Sequence, residues 1–150
     1  MRLVIQRVKK ALVKIDDEIH SQINTGLLVL VGIEEHDTLE DIEWLTLKTI
    51  NMRLFSDTEG KMNLDLKQIN GDVLLVSQFT LHASTKKGNR PSFIKAARPE
   101  KAIPLYQNLI KEFEKTLEKP IKTGVFGANM EINLINDGPV TIFIDSKIRE

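Results

Sequence analysis

Ser77, Gln78 and Thr80 follow a run, Val73-Leu74-Leu75-Val76, that reads as a buried strand. On an extended strand Gln78 and Thr80 point to one side with Cα atoms about 6.6 Å apart, and Ser77 and Phe79 point to the other. A strand end holds a hydroxyl and a carboxamide rigidly enough to meet a common ligand. The same residues can instead cap a strand end or satisfy neighbouring backbone groups, and spacing alone favours that plainer role. A threonine nucleophile also needs a base. Of three histidines, His20 and His36 stand in polar, turn-like stretches, while His82 shares the Gln78–Thr80 face. No acid neighbours His82 in sequence to orient its ring, so a Thr–His relay has little behind it.

Other chemistries find less support. There is no cysteine, and the histidines do not fall at metal-ligand spacing, so no metal and no cofactor are expected. Asp16-Asp17-Glu18 and Glu34-Glu35 lie in apparent turns, where solvated carboxylates are the simplest reading. Neither a G-x-x-x-x-G-K-[ST] nor a G-x-G-x-x-G phosphate cradle occurs. The stretch Ser84–Lys101 carries Lys86, Lys87, Arg90, Lys95, Arg98 and Lys101 against one acid, Glu100. Such a segment can meet a phosphate backbone, or it can be a solvated lysine-rich loop. Arg7 shares a strand face with Leu3 and Ile5, so its guanidinium must reach solvent or buried acceptors.

The elements that would position these residues follow from periodicity. Leu3 to Val8 and Ala11 to Ile15 read as two strands, with a polar turn at Asp16-Asp17-Glu18. Leu27 to Ile33 is a continuous apolar run, as expected of a strand covered on both faces. Asp37 with Glu40 resembles a capping box opening a helix whose buried stripe is Leu39, Ile42, Leu45 and Thr49. Asn70-Gly71 predicts a tight turn before the strand that carries Ser77. A second helix, starting at Pro99 or Pro104 and ending near Lys119, buries Leu105, Leu109, Phe113 and Leu117. Two closing strands, Met130–Ile135 and Val140–Ile144, flank Asn136-Asp137-Gly138-Pro139.

At 150 residues the chain reads as one domain, residues 1–150, with a 41% hydrophobic and 28% charged composition ordinary for a globular protein. Its formal net charge is zero, so nucleic-acid contact would need a local patch. No membrane span or signal segment is visible, and a cytoplasmic protein is expected. Strands dominate, and two helices do not alternate regularly with them. The expected class is α+β, a barrel-like sheet covered by helices.

Ser77-Gln78-Phe79-Thr80 together with Asn136-Asp137-Gly138-Pro139-Val140-Thr141 resembles the D-aminoacyl-tRNA deacylase family. The likeness covers nearly the whole chain, taking in the opening MRLVIQRV, Val31-Gly32-Ile33, Lys87–Phe93 and Gly124–Ala128. It implies a homodimer with active sites at the subunit interface. It implies hydrolysis of the ester between a D-amino acid and the 3′-terminal adenosine of tRNA, with glycyl-tRNA as a possible further substrate. Gly138-Pro139 would form a cis peptide that reaches into the partner's site and excludes L side chains. Ser77, Gln78, Phe79 and Thr80 would floor the pocket, Arg7 would brace the Gly-Pro segment, and Phe126 would stack on the adenine. The family's usual aromatic two places after Thr80 is here His82, a departure beside the pocket. Thr80 acts either as nucleophile or as a wall of a site where backbone N–H groups and the ribose 2′-hydroxyl do the work. The missing base favours the second. A non-catalytic module that binds the tRNA 3′ end and a structural dimerisation domain are the alternative readings.

Overall fold

A computed structural model describes residues 1–149. Its first strand, β1 (Arg2–Ile15), is one uninterrupted element where the sequence suggested two. Lys9 and Lys10 look like a break but lie exposed on a continuing strand, and the buried side changes there. Leu3 and Ile5 face one core, whereas Val8, Ala11 and Val13 face another. A tight turn with positive φ at Asp16 and Asp17 leads into β2 (Glu18–Ile23), a strand the periodicity did not reveal, and then β3 (Gly26–Gly32). Both return along the same edge of β1.

β6 (Asp72–Ser77) lies parallel to β3, and β7 (Lys122–Thr123) lies parallel to β6. The Ser21 hydroxyl donates to the Thr123 carbonyl at 2.8 Å, which brings β7 back against β2 and nearly closes the sheet into a barrel. β8 (Glu131–Asp145) pairs with the opposite edge of β1 along almost its full length. It too is a single strand, passing through the Gly138-Pro139 stretch rather than stopping at it. A small hairpin of β4 (Phe55–Ser56) and β5 (Met62–Leu64) stands apart.

β3 and β6 are buried on both faces, as their unbroken apolar runs predict. Leu28, Leu74 and Val76 fill the barrel interior with Val8, Ala11 and Val13. Leu27, Val29, Val31, Val73 and Leu75 point outward, under the two helices. α1 (Leu39–Asn51) buries Ile42, Leu45, Thr49 and Ile50, but Leu39, in its first turn, is exposed. Its cap is Thr38, in a capping box with Asp41, and not Asp37. Asp37 is buried, where it pairs with the Met1 ammonium group and accepts from the Glu34 N–H. α2 (Pro99–Leu117) starts at Pro99 and runs on through Pro104. The hydrogen bond that Pro104 omits would go to the carbonyl of Glu100, and both residues face solvent, so water can replace it. No helix among the described residues is long and apolar enough to cross a membrane.

Among the glycines Gly26 is the most tightly confined, pairing with Asp72 where the two parallel strands begin. A β-carbon there would stand 2.0 Å from the Asp72 carbonyl oxygen, a backbone atom that cannot move without breaking the ladder. Gly26→Ala should therefore cost about 3 kcal/mol or more, read as a lower urea midpoint. A wild-type midpoint would show that β3 and β6 can separate freely at this end.

Candidate functional site

β3 and β6 run side by side and end together, and a cavity of about 280 Å³ opens at those ends. Ser77, Gln78 and Phe79 form one wall, and Phe126 and Met130 another. The ladder does not continue as the alternating pattern implied. β3 stops at Gly32, so after the Gln78 N–H bonds to the Val31 carbonyl at 2.7 Å the chain has no further partner. It turns out of the sheet into a 3-10 turn, Phe79–His82. Gln78 and Thr80 thus do not share a strand face, and strand parity does not apply to them. They meet through the turn, with the Gln78 amide 2.5 Å from the Thr80 hydroxyl oxygen.

The turn has two chemical consequences. The opening N–H groups of a helical turn have no acceptor within it. The Leu81 N–H is the first to bond back, to the Gln78 carbonyl, and those of Phe79 and Thr80 donate to no other main-chain carbonyl among the described residues. Thr80 itself is exposed, and its polar neighbour is a carboxamide, which has no basicity in either orientation. His82 does not share the Thr80 face. It is buried, with neither ring nitrogen hydrogen-bonded. Glu34, distant in sequence, approaches its Nδ1 at 3.9 Å. That acid was invisible to a reading of sequence neighbours, and it sits on the side of the turn's foundation.

Several contacts hold the turn in place. The Arg2 guanidinium donates to the Leu81 carbonyl at 2.9 Å and pairs with Asp145 at 2.8 Å. Burial opposes the Asp145 charge, but the Lys147 N–H and the Arg2 guanidinium outweigh it and hold that carboxyl below its ordinary range. Gly32 lies so close beneath that a β-carbon would come within 2.8 Å of Leu81 Cβ. Phe79, 56% exposed, meets the Phe93 ring edge-on at a centroid distance of 5.1 Å.

Phe126 is placed by Tyr106, whose ring lies 5.9 Å away. The Tyr106 hydroxyl donates to the Leu75 carbonyl at 2.8 Å, and burial pushes its phenol well above the ordinary value. Tyr106 escaped the sequence reading, although Ala102-Tyr106-Leu109-Phe113 shows the spacing of a buried helical row. Ala97, Asn129 and Met130 also line the cavity. They come from two separate loops, one before α2 and one between β7 and β8, and no local pattern announces them.

Arg7, Gly138 and Pro139 are not on this wall. Arg7 pairs with Leu27, about 13 Å down β3 from the cavity residue Val31. There it is buried, donating to the main-chain carbonyls of Asp137, at 3.0 Å, and Leu54. Its Nε also lies 3.4 Å from the Asp137 carboxylate. Opposite it β8 changes register: Gln6 pairs with Thr141 and Val8 with Asn136, so Arg7 alone faces Asp137 to Val140. The surplus chain bulges outward. Gly138 and Pro139 are exposed at its tip, joined by a cis peptide bond. Gly138 has φ 129°, and a β-carbon on it would meet Arg7 Nη2 and Val140 Cγ2 at 2.9 Å. The Asn136 side chain accepts from the Val140 N–H at 3.0 Å, closing the bulge.

Arg7→Lys should loosen this bulge, because one ammonium cannot serve two carbonyls in the fork geometry of a guanidinium. We expect a loss of about 1–3 kcal/mol and faster amide exchange at Val140 than at the flanking β8 residues. Unchanged exchange at Val140 would mean that Arg7 does not support the bulge.

Comparison with known proteins matches this architecture. A family model described as D-Tyr-tRNA(Tyr) deacylase matches residues 4–145. A protein of Flavobacterium johnsoniae named D-aminoacyl-tRNA deacylase is 59% identical over 150 residues, covering 100% of both chains. One of Akkermansia muciniphila with the same name is 61% identical over the same span, again covering 100% of both. A solved structure titled c-Myc DNA Unwinding Element Binding Protein is 39% identical, with TM-score 0.91, covering 97% of this chain and 98% of its own. A second, of a probable eukaryotic D-amino acid tRNA deacylase, is 16% identical with TM-score 0.81, covering 95% and 97%, a likeness of fold alone.

Proposed function

The chain belongs to the D-Tyr-tRNA(Tyr) deacylase family, and from that premise we propose how it acts as a D-aminoacyl-tRNA deacylase. The substrate is the ester joining a D-amino acid to the 3′-terminal adenosine of tRNA, which also places the enzyme in the cytoplasm. The observation that carries the reading is the cavity itself, where Phe79 opens a turn whose first two N–H groups have no main-chain acceptor among the described residues, and Phe126 lines the same cavity at the ends of two buried strands. The terminal adenine stacks on Phe126. The scissile carbonyl lies over Phe79 and Thr80, whose N–H groups stabilise the oxyanion that forms as water attacks. The ribose 2′-hydroxyl assists that water, the bond from the carbonyl carbon to the ribose 3′-oxygen breaks, and the leaving oxygen takes a proton. Free D-amino acid and tRNA result. Fixed donors of this kind are each worth roughly 3 kcal/mol of barrier, so a site without a general base is not inert. Thr80, oriented by Gln78, shapes the floor and is not the nucleophile, since no base reaches it.

The site is completed by a second copy of the chain, whose Gly138 and Pro139 enter the cavity and receive the substrate's amino group. Two features support this. The bulge is exposed and lies away from its own cavity. The outer edge of β8 has no strand partner among the described residues, although Ile135 and Phe143 are each 56% exposed along that strand. An open edge of that length is normally covered, and a two-fold contact is the commonest cover. A main-chain surface that clashes with an L side chain excludes it whatever its hydrophobicity, and it needs no favourable contact to the D side chain. Glycine, having no side chain to exclude, is cleaved as well.

Hydrolysis of matched D- and L-aminoacyl-tRNA tests the reading, with D esters cleaved and bulky L esters spared. Binding to the 3′ end with no release of amino acid would instead favour a non-catalytic module. Thr80→Ala should keep partial activity, and a terminal 2′-deoxyadenosine should be the poorer substrate. A loss on the order of a thousandfold or more in Thr80→Ala, with normal turnover of the deoxy substrate, would make Thr80 the nucleophile.

A further inference from the structure

We propose that the Ser84–Lys101 segment is a phosphate-binding surface that holds the acceptor-strand backbone of tRNA beyond its terminal adenosine. The inference rests on the deacylase reading and adds a part of the molecule that the cavity does not use. The chain is neutral as a whole, so the excess of five cations in this segment is balanced by an equal acid excess over all the rest. Lys86, Lys87, Arg90, Lys95, Arg98 and Lys101 are all exposed. Among the described residues none of the six forms an ion pair or a side-chain hydrogen bond within the chain. Elsewhere, among the described residues, eight of the fifteen Lys and Arg side chains pair with a carboxylate, Arg2, Arg7, Lys119 and Lys147 among them. Clustered unpaired cations repel one another, and a polyanion relieves that repulsion.

The segment is also fixed to the cavity rather than hanging free. Paired main-chain bonds between Ser84 and Ser92, at 2.8 and 2.9 Å, close a loop whose tip carries Lys86, Lys87 and Arg90. Phe93, just past that closure, packs on Phe79 of the cavity wall. The Ala97 N–H bonds to the Ile33 carbonyl at 2.9 Å, and Ala97 and Ala102 themselves line the cavity. Lys95, Arg98 and Lys101 thus stand within a few residues of the wall, and the tip is anchored through Phe93 to the same turn. A nucleotide chain leaving the cavity must cross this rim, where its phosphates meet cations with no competing partner. Contacts of this kind position a nucleic acid without reading its sequence.

The test compares wild type with K86Q/K87Q/R90Q and with a control, K111Q/K115Q, on the exposed side of α2. Each is assayed on D-aminoacyl-tRNA and on D-aminoacyl-adenosine, which keeps the ester and lacks the phosphates. The loop variant should lose about tenfold or more in kcat/KM on tRNA at ~0.1 M salt, through KM, with kcat and the adenosine ester unaffected. The slope of log(kcat/KM) against log salt should become shallower by roughly 0.7 for each single-strand phosphate contact removed, and the control should change nothing. An equal loss on both substrates would overturn the proposal by assigning the loop to the cavity, as would wild-type behaviour on tRNA. If wild type cleaves tRNA but not the adenosine ester, the salt slope decides alone, and an unchanged slope rejects the surface. Cleavage of neither substrate by wild type would defeat the deacylase reading itself, a separate result.

Discussion

One buried cation organises the part of this molecule that its own cavity does not explain. Arg7 lies inside a sheet whose β1 strand is committed on both edges, so four residues of β8 must be accommodated opposite a single residue. The guanidinium makes that possible by giving its donors to main-chain carbonyls of Asp137 and Leu54 with the Asp137 carboxylate close by. A buried charge left without such partners would cost several kcal/mol. With them, the bulge is held from below while Gly138 and Pro139 stay exposed. Gly138 is confined by the same contact, since its φ and the nearness of Arg7 Nη2 leave no room for a side chain. A braced projection results, with Gly138 bare of any side chain, away from the cavity of the chain that carries it.

The cavity depends on a different constraint, the coincident ends of two parallel strands. β3 stops at Gly32, which withdraws the ladder from β6 and lets the chain fold into a 3-10 turn instead of extending. A strand would have sent its N–H groups to a neighbour. The turn leaves those of Phe79 and Thr80 without a main-chain acceptor among the described residues, and Phe79 lines the cavity while Thr80 stands one residue beyond its lining. Free donors at that point are what the proposed oxyanion site needs. Arg2, Gly32 and Phe93 fix the turn from three sides.

The features legible in the sequence were those written into periodicity. The two-faced burial of β3 and β6, both helices, and the polar break after Val76 could be read from apolar spacing. What could not be read depended on partners. Lys9-Lys10 and Asp137-Gly138-Pro139 both look like strand ends, yet each strand continues because the other supplies its ladder across the irregularity. Gln78 and Thr80 looked like one strand face because nothing local marks the point where β3 ends. Asp37 had the chemistry of a helix cap, but the Met1 ammonium claims it and Thr38 takes the role. The proposed site residues fall into two groups, around the cavity and at the β8 bulge, and their separation in space, invisible in the sequence, is the observation that most favours the proposal of a site shared between two copies.

That sharing is the central claim, and subunit complementation tests it most directly. Ala97→Trp should fill the cavity, and Gly138→Val should disrupt the bulge through the contact with Arg7. Each variant alone should be folded, dimeric and inactive on D-aminoacyl-tRNA. Co-expressed, they should form mixed dimers in which one of two sites has an intact cavity and an intact opposing bulge. Statistical pairing then restores about a quarter of wild-type activity. Activity that stays at background in a mixture shown to contain the mixed dimer, or a fully active Gly138→Val protein, would contradict a site assembled from two chains.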